Sequence, residues 1–340
     1  MKTFNCPNCQ NPIFFENTQC ENCSTLLSYN PLKECFDATI DLSPSELCKN
    51  QSLDICNWST KGSSQENFCI ACSLNREVPN PQNNSSFVKW KNLEPAKHRL
   101  IYQLLKLGLP IASKLEKTDG IAFDFLSENN KQKALTGHAN GVVTILLSEA
   151  DSVKREQLKK DMNEPYRTLL GHFRHEIGHY YWDVLFDEKN IKKYRAIFGD
   201  ERINYGEALQ IHYKNGAPKN WNQNFISEYA SSHSWEDWAE SWAHYLHLMD
   251  TLETANAFGV SFKRNKFPLK TLTNATCPNP YTTKSFKTIF NSSVALTCMA
   301  NSLNRSMGLD DTYPFVIAEP VYKKLNFIHS ILTKHRLQKE

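Results

Sequence analysis

Apolar positions change their period along this chain, and the changes predict its elements. From Leu93 to Leu109 they recur at helical spacing, with Pro95 early and Pro110 closing the run. Gly141 to Leu147 is apolar and β-branched, is entered from the turn-rich GHANG, and reads as a strand. At 100° per residue, Leu169, Leu170, Phe173, Ile177, Tyr180, Tyr181, Val184 and Leu185 fill one arc of a helix, and His172, His175, Glu176 and His179 occupy the other. A second helix is predicted from Ser234, which forms a capping-box pattern with Asp237. On its wheel Trp235, Trp238, Trp242, Tyr245, Leu246 and Met249 cluster on one side, and Glu236, Glu240, His244 and His247 on the other.

Composition narrows the class. The 340 residues suit two domains, and 40% hydrophobic with 22% charged residues describes an ordinary soluble globular chain. The longest apolar run, Val142 to Leu147, falls far short of the roughly 18 residues of a spanning helix, so no membrane association is expected. The opening MKTFNCPNCQ lacks the pattern of a secretory signal, and a cytoplasmic protein is expected. Net charge is +3, but up to Ser85 there are 5 basic against 9 acidic residues. That acidic part would repel a phosphate backbone, so no nucleic-acid partner is expected.

Nine of the eleven cysteines precede residue 73, and VPNPQNNSS, residues 78–86, has the composition of an extended linker. These features divide the chain into a cysteine-rich module at 1–78, a linker at 79–86 and a larger domain at 87–340. Cys6, Cys9, Cys20 and Cys23 form two CxxC knuckles ten residues apart, which can aim four thiolates at one tetrahedral zinc ion. Cys48, Cys56, Cys69 and Cys72 form a second set with a wider first half, in which Cys35 is a rival to Cys48. Such a module has too little core to fold alone, so metal binding supplies folding free energy.

His175, Glu176 and His179 make an HExxH motif. Two imidazoles four residues apart lie one helical turn from each other and can share a metal, while Glu176 faces the water that the metal activates. His172, one turn earlier, is read as a neighbour of the site rather than a ligand. A catalytic zinc normally takes a third protein ligand. The metzincin extension fails, because Trp182 and Leu185 stand where Gly and His would be; an aspzincin pattern fails in GDERINYG, where Arg202 replaces the aspartate. There remains the polar side of the second helix, where Glu236 is assigned as ligand and Glu240 as the carboxylate orienting a ligand imidazole, with His244 and His247 as rivals.

Taken together, FFENTQCENC, CNW, CSLNREVP, MNEPYRTLLGHFRHEIGHYYWDVLF, FGDERINYG, HSWEDWAESWAHYLH and LETANAFG resemble a bacterial family of zinc-binding metallopeptidases with an amino-terminal zinc ribbon. The resemblance runs nearly end to end, with a departure at LNREVPNP, where the family more usually shows a TIPDL-like run. CNW marks Cys56 as a family position and favours Cys48 over Cys35. More distantly, YASSHSWEDWAESW is similar to a segment of lethal-factor-type glutamate zincins. That likeness implies zinc binding by Glu236 and assistance to catalysis by Tyr229; should Tyr229 not be the donor, His233 is the first residue to test.

The resulting expectation is an α+β protein: a zincin-like metallopeptidase domain behind a small double zinc-ribbon module. It would hold one catalytic and two structural Zn2+ ions and hydrolyse peptide bonds with Glu176 as general base. Gly141 to Leu147 would be the edge strand that holds extended peptide, and the ribbon could recruit a protein partner. The alternative is a non-catalytic adaptor retaining the scaffold, against which an intact Glu176 argues.

Overall fold

The computed structural model describes residues 1–127, 136–161, 168–262 and 275–337; Met162 to Arg167, which open one of the family segments, lie outside them. The chain divides into two compact units, one of Met1–Lys106 with Pro110–Leu158, the other of Leu107–Leu109 with Lys159–Glu340. Helix and sheet are both present, and no described helix is long and apolar enough to cross a membrane.

The first unit opens with two antiparallel hairpins, β1 (Phe4–Asn5) with β2 (Pro12–Ile13) and β3 (Leu27–Asn30) with β4 (Cys35–Ala38). Its core is aromatic: Phe4, Phe15, Tyr29, Phe36 and Trp58 meet at ring-centroid distances of 4.8–6.1 Å. Edge-on ring packing of this kind extracts much burial from few residues. Strand β5 (Asn75–Glu77) leaves this module to pair with β6 (Ala122–Leu126) in a four-stranded sheet ordered β5, β6, β8, β7, with β7 at Gly137–Ala139 and β8 at Val142–Leu146.

Strand β8 forms where the β-branched run predicts it, but it pairs with β6 on one side and β7 on the other. Its backbone groups are therefore already used, and the expectation of a peptide-holding edge at Gly141 to Leu147 is corrected. Among the described residues the edges of this sheet are β5 and β7.

Helix α1 runs Asn84–Lys106, so it starts inside the stretch read as a linker and places Pro95 in mid-helix. The Phe87 N–H reaches the Asn83 carbonyl and begins the helical ladder nine residues before the apolar run does. Pro95 can be carried because it removes one N–H, the one that would meet Lys91, within a long buried helix. Tyr102 of α1 joins the ribbon's aromatic core, 5.3 Å from the Phe15 ring.

The first unit takes in most of α2 (Ser152–Asp161), and the second contains α3 (Leu169–Leu185), α4 (Ile191–Phe198), α5 (Tyr205–Asn215), α6 (Ser234–Ala257), α7 (Phe286–Ser306) and α8 (Glu319–Leu337), with a two-stranded ribbon of β9 (Ser261–Phe262) and β10 (Ala275–Thr276). Helix α6 is central and packs against α3, α4, α7 and α8. The expected apolar arc of α3 is buried at Phe173, Ile177, Tyr180, Tyr181 and Leu185, while Val184 is exposed. Both sides of α6 are covered: Trp238, Trp242 and Tyr245 fill the core, and Glu236, His244 and His247 are buried as well.

Candidate metal centres

Helix α3 is started by Thr168, whose hydroxyl accepts from the Gly171 N–H at 3.0 Å. It can lie close to α6 because residue 178 is glycine: a Cβ there would stand 3.1 Å from Trp242 Cδ1 and 3.2 Å from the Ala239 Cα. The freed space lets Trp238 Nε1 donate to the Gly178 carbonyl at 2.8 Å. One variable position of HExxH is thus spent on helix approach, and that approach carries the donors of α6 to those of α3.

The start of α6 differs from the sequence expectation. His233, not Ser234, is its N-cap; the His233 Nδ1 accepts from the Trp235 N–H at 3.1 Å, and Nε2 donates to the Ile203 carbonyl at 3.0 Å. The capping box of Ser234 with Asp237 does not form, since Ser234 already lies in the first turn. Both His233 nitrogens are engaged, which removes it as a reserve hydrogen-bond donor for catalysis.

His175, His179 and Glu236 bring one donor atom each into a single group. His175 Nε2 lies 3.2 Å from His179 Nε2 and 3.0 Å from Glu236 Oε2, and His179 Nε2 lies 3.5 Å from Glu236 Oε1. A tetrahedral zinc ion with bonds of about 2.0–2.1 Å spaces its ligands by about 3.3 Å, so the group fits that ion. Glu236 Oε2 is buried without a hydrogen-bond partner, a costly state that a cation would relieve. Burial opposes charge on His175, but the facing carboxylates of Glu236 and Glu240 win and raise its pKa well above the usual value. Burial likewise pushes Glu236 upward, and the imidazoles of His179 and His175 hold it well below the carboxylate range instead.

Glu240 occupies the orienting position: its Oε1 accepts from His175 Nδ1 at 2.7 Å, and its Oε2 accepts from the Ser227 hydroxyl at 2.6 Å. With Nδ1 held by that carboxylate, Nε2 is the nitrogen turned to the group's centre, and a metal there would take its lone pair in place of a proton. The rivals lie outside the group. His244 Nδ1 meets the Tyr313 hydroxyl at 2.6 Å, and His247 Nδ1 accepts from Arg174 at 2.5 Å. His172 is not a member either. The Tyr229 ring lies 6.0 Å from that of His175; burial and the charge of Glu236 push its pKa up and keep the phenol protonated. Glu176, half-buried on α3, is close enough for its charge to contribute to the raised pKa of both Tyr229 and Tyr205.

Sequence reasoning missed Tyr205, whose hydroxyl donates to Glu236 Oε1 at 2.7 Å, and Ser227. The only signal for Tyr205 was its place in the family segment FGDERINYG.

In the first unit, Cys6, Cys9, Cys20 and Cys23 form one four-sulfur group, with Sγ distances of 3.6 Å for Cys6 to Cys23 and 3.7 Å for Cys9 to Cys20. Zn–S bonds of about 2.3 Å call for sulfurs about 3.8 Å apart. The knuckles support each other: Asn8 donates to Cys23 Sγ at 3.7 Å and Asn22 to Cys9 Sγ at 3.6 Å. The Asn22 amide is the main cause of a lowered Cys9 pKa, and the Thr25 hydroxyl brings Cys23 down to about 6, both favouring the thiolates a metal needs.

The second group contains Cys48, Cys56, Cys69 and Cys72, all buried. Cys35 stands apart on β4, paired with Asn30, so the choice between Cys35 and Cys48 falls to Cys48. His98 of α1 lies beside this group, its Nε2 3.8 Å from Cys72 Sγ and its Nδ1 2.9 Å from the Glu94 carbonyl.

Two four-cysteine groups and a His, His, Glu group on paired helices are the donor sets of a zinc-binding protein with a ribbon module and a peptidase-like domain. Residues 86–331 match the family described as "Putative zinc-binding metallo-peptidase", and residues 3–83 match a zinc-ribbon domain. The chain belongs to that metallopeptidase family. It is 40% identical over 335 residues to proteins of Mycobacterium tuberculosis and Mycobacterium bovis, covering 98% of this chain and 95% of theirs; both are described as uncharacterized. No solved structure matches the chain.

Proposed function

We propose that this protein is a zinc-dependent peptidase of zincin-like fold and glutamate type, cytoplasmic, holding one catalytic and two structural zinc ions. The observation that carries the reading is the convergence of His175, His179 and Glu236, with Glu236 Oε2 buried 3.0 Å from His175 Nε2 and satisfied by no hydrogen bond. Zinc in that group would supply the Lewis acidity that acidifies a water and polarises a carbonyl. Glu176, the carboxylate between the two histidines of the motif, takes the proton of the attacking water and hands it to the leaving nitrogen. Glu240 keeps His175 in the tautomer that presents Nε2. The protonated Tyr229 phenol donates to the oxyanion that develops on the substrate carbonyl.

The ribbon exposes Phe14, Leu26, Leu32 and Ile40, the last 90% accessible, as side chains that a protein substrate or partner could cover, and its excess of acidic residues argues against nucleic acid. The same side chains favour the second reading, a non-catalytic adaptor. Profiling a peptide library with zinc-loaded protein separates the two. Cleavage that disappears in Glu176→Gln at unchanged zinc content is expected; no cleavage by the fully loaded parent leaves the adaptor.

A further inference from the structure

Tyr205, 38% exposed, is the first residue of α5, and its neighbours on the protein side fix its direction. The Asn204 side chain caps the helix by accepting from the Glu207 N–H at 3.1 Å. Two residues before Tyr205, the Ile203 carbonyl is held by His233 Nε2, and His233 is itself the cap of α6. The start of α5 is thereby tied to the start of the helix that carries Glu236. The Tyr205 ring stands edge-on to His233 at 5.3 Å and to Trp235 at 5.7 Å, so its rotation is restricted. Its hydroxyl then reaches Glu236 Oε1 at 2.7 Å.

The two oxygens of Glu236 are consequently unequal. Oε1 accepts a hydrogen bond from a phenol, while Oε2 is buried, has no hydrogen-bond partner and lies 3.0 Å from His175 Nε2. A carboxylate free at both oxygens can chelate a metal with both, filling a position that a water or substrate oxygen must take in a hydrolase. A donor on one oxygen fixes the plane of the group and which oxygen it presents, and losing such an orienting bond weakens metal binding.

Resting on the reading that the His, His, Glu group holds zinc, we infer that Tyr205 is a positioning residue for Glu236. It engages Oε1, which lies 3.5 Å from His179 Nε2, and so leaves Oε2, 3.0 Å from His175 Nε2, as the oxygen offered to the metal; this keeps the coordination shell open and sets the affinity of the site.

The test uses the full chain with zinc in both cysteine groups and the third site emptied by a mild chelator. Tyr205→Phe removes the donor and keeps the ring against His233 and Trp235. Zinc affinity, read by competition with a chromophoric chelator, should fall about 10- to 100-fold. Cobalt loaded into the third site should give weaker, shifted visible bands, the sign of a second carboxylate oxygen entering the shell. Melting of the metal-free variant should match the parent. Tyr213→Phe, a change on the same helix at a residue 65% exposed, should alter neither readout. Parental zinc affinity with an unchanged cobalt spectrum in Tyr205→Phe would overturn the inference, as would an equal loss in Tyr213→Phe. Neither readout involves a peptide, so failure here leaves the peptidase reading standing, and an inactive parent leaves this inference standing.

Discussion

The cysteine groups and the histidine–glutamate group solve the same problem, gathering donors around a point, in opposite ways. In the first unit the donors come in fours from stretches of 6–23 and 48–72, and each set lies in irregular loops and short turns. In the second unit three donors come from two long helices, with about sixty residues between His175 and Glu236. Four thiolates close a shell, and three donors leave a place in it. The surroundings follow the same division. Around the first ribbon group the partners are local, Asn8 and Asn22 reaching across the knuckles, and the second group has His98 of α1 beside Cys72. Around the helical group, Glu240, Ser227 and Tyr205 form a hydrogen-bonded support drawn from α6, the loop before it and α5. The difference teaches that donors on loops and short turns have little but one another and a bound ion to order them, whereas donors on packed helices are placed by the core.

The largest expected effect probes that dependence directly. Cys56→Ser should release the zinc of the second ribbon group and disorder residues 48–72, because structural zinc carries about 10 kcal/mol or more of folding free energy in small domains. Glu236→Ala should instead lower the zinc count by one while the helices keep their hydrogen-exchange protection. Elemental analysis with hydrogen exchange reads both, and intact loops in the metal-depleted Cys56→Ser protein would break the contrast.

Next comes the open position of the helical site. Tyr229→Phe should reduce kcat by about 10²- to 10³-fold if the phenol meets the oxyanion, with zinc content and Tm as in the parent. Unchanged kcat in a folded, metallated variant would remove Tyr229 from the chemistry.

A smaller effect sharpens the claim that outer hydrogen bonds orient the ligands. Glu240→Ala should weaken zinc at the third site about 10- to 100-fold and be rescued by added zinc, with both ribbon ions retained. Full affinity without Glu240 would mean that His175 is oriented by its helix alone.

The smallest effect concerns packing. Gly178→Ala places a methyl group 3.1–3.2 Å from Trp242 and Ala239, and either the ring or the helices must shift. A loss of about 1–3 kcal/mol in denaturant unfolding of the second unit is expected, without loss of ribbon zinc. A neutral substitution would show that α3 and α6 have slack at their closest approach.

Much of this was legible because it is local. The α3 histidines follow from the pitch of a helix, and the CxxC knuckles from the reach of a tight turn. The burial of Phe173, Ile177 and Tyr181 follows from the same periodicity. Periodicity was less informative where both sides of an element are covered. On α6 the wheel separated aromatic from polar residues, yet the polar side is buried too, because α3 and the loops before α6 close over it. Strand β8 was legible as a strand but not as an interior one, since the partners on its two sides come from stretches whose pairing no local rule fixes.

What the sequence determined by itself is therefore the donor inventory and its pairing within each turn or helix: four cysteines twice, and His175 with His179 around Glu176. Only the tertiary structure decided that His233 caps α6 and that Tyr205 grips one oxygen of Glu236, while for Cys48 over Cys35 it agrees with the family resemblance. Local geometry is set by bond angles and hydrogen bonds within a few residues, which repeat wherever the residues do. Contacts across 31 residues, as between Tyr205 and Glu236, depend on how distant segments are brought together, here by the bond from the α6 cap His233 to Ile203, just as the approach of α3 to α6 depends on the missing side chain of Gly178.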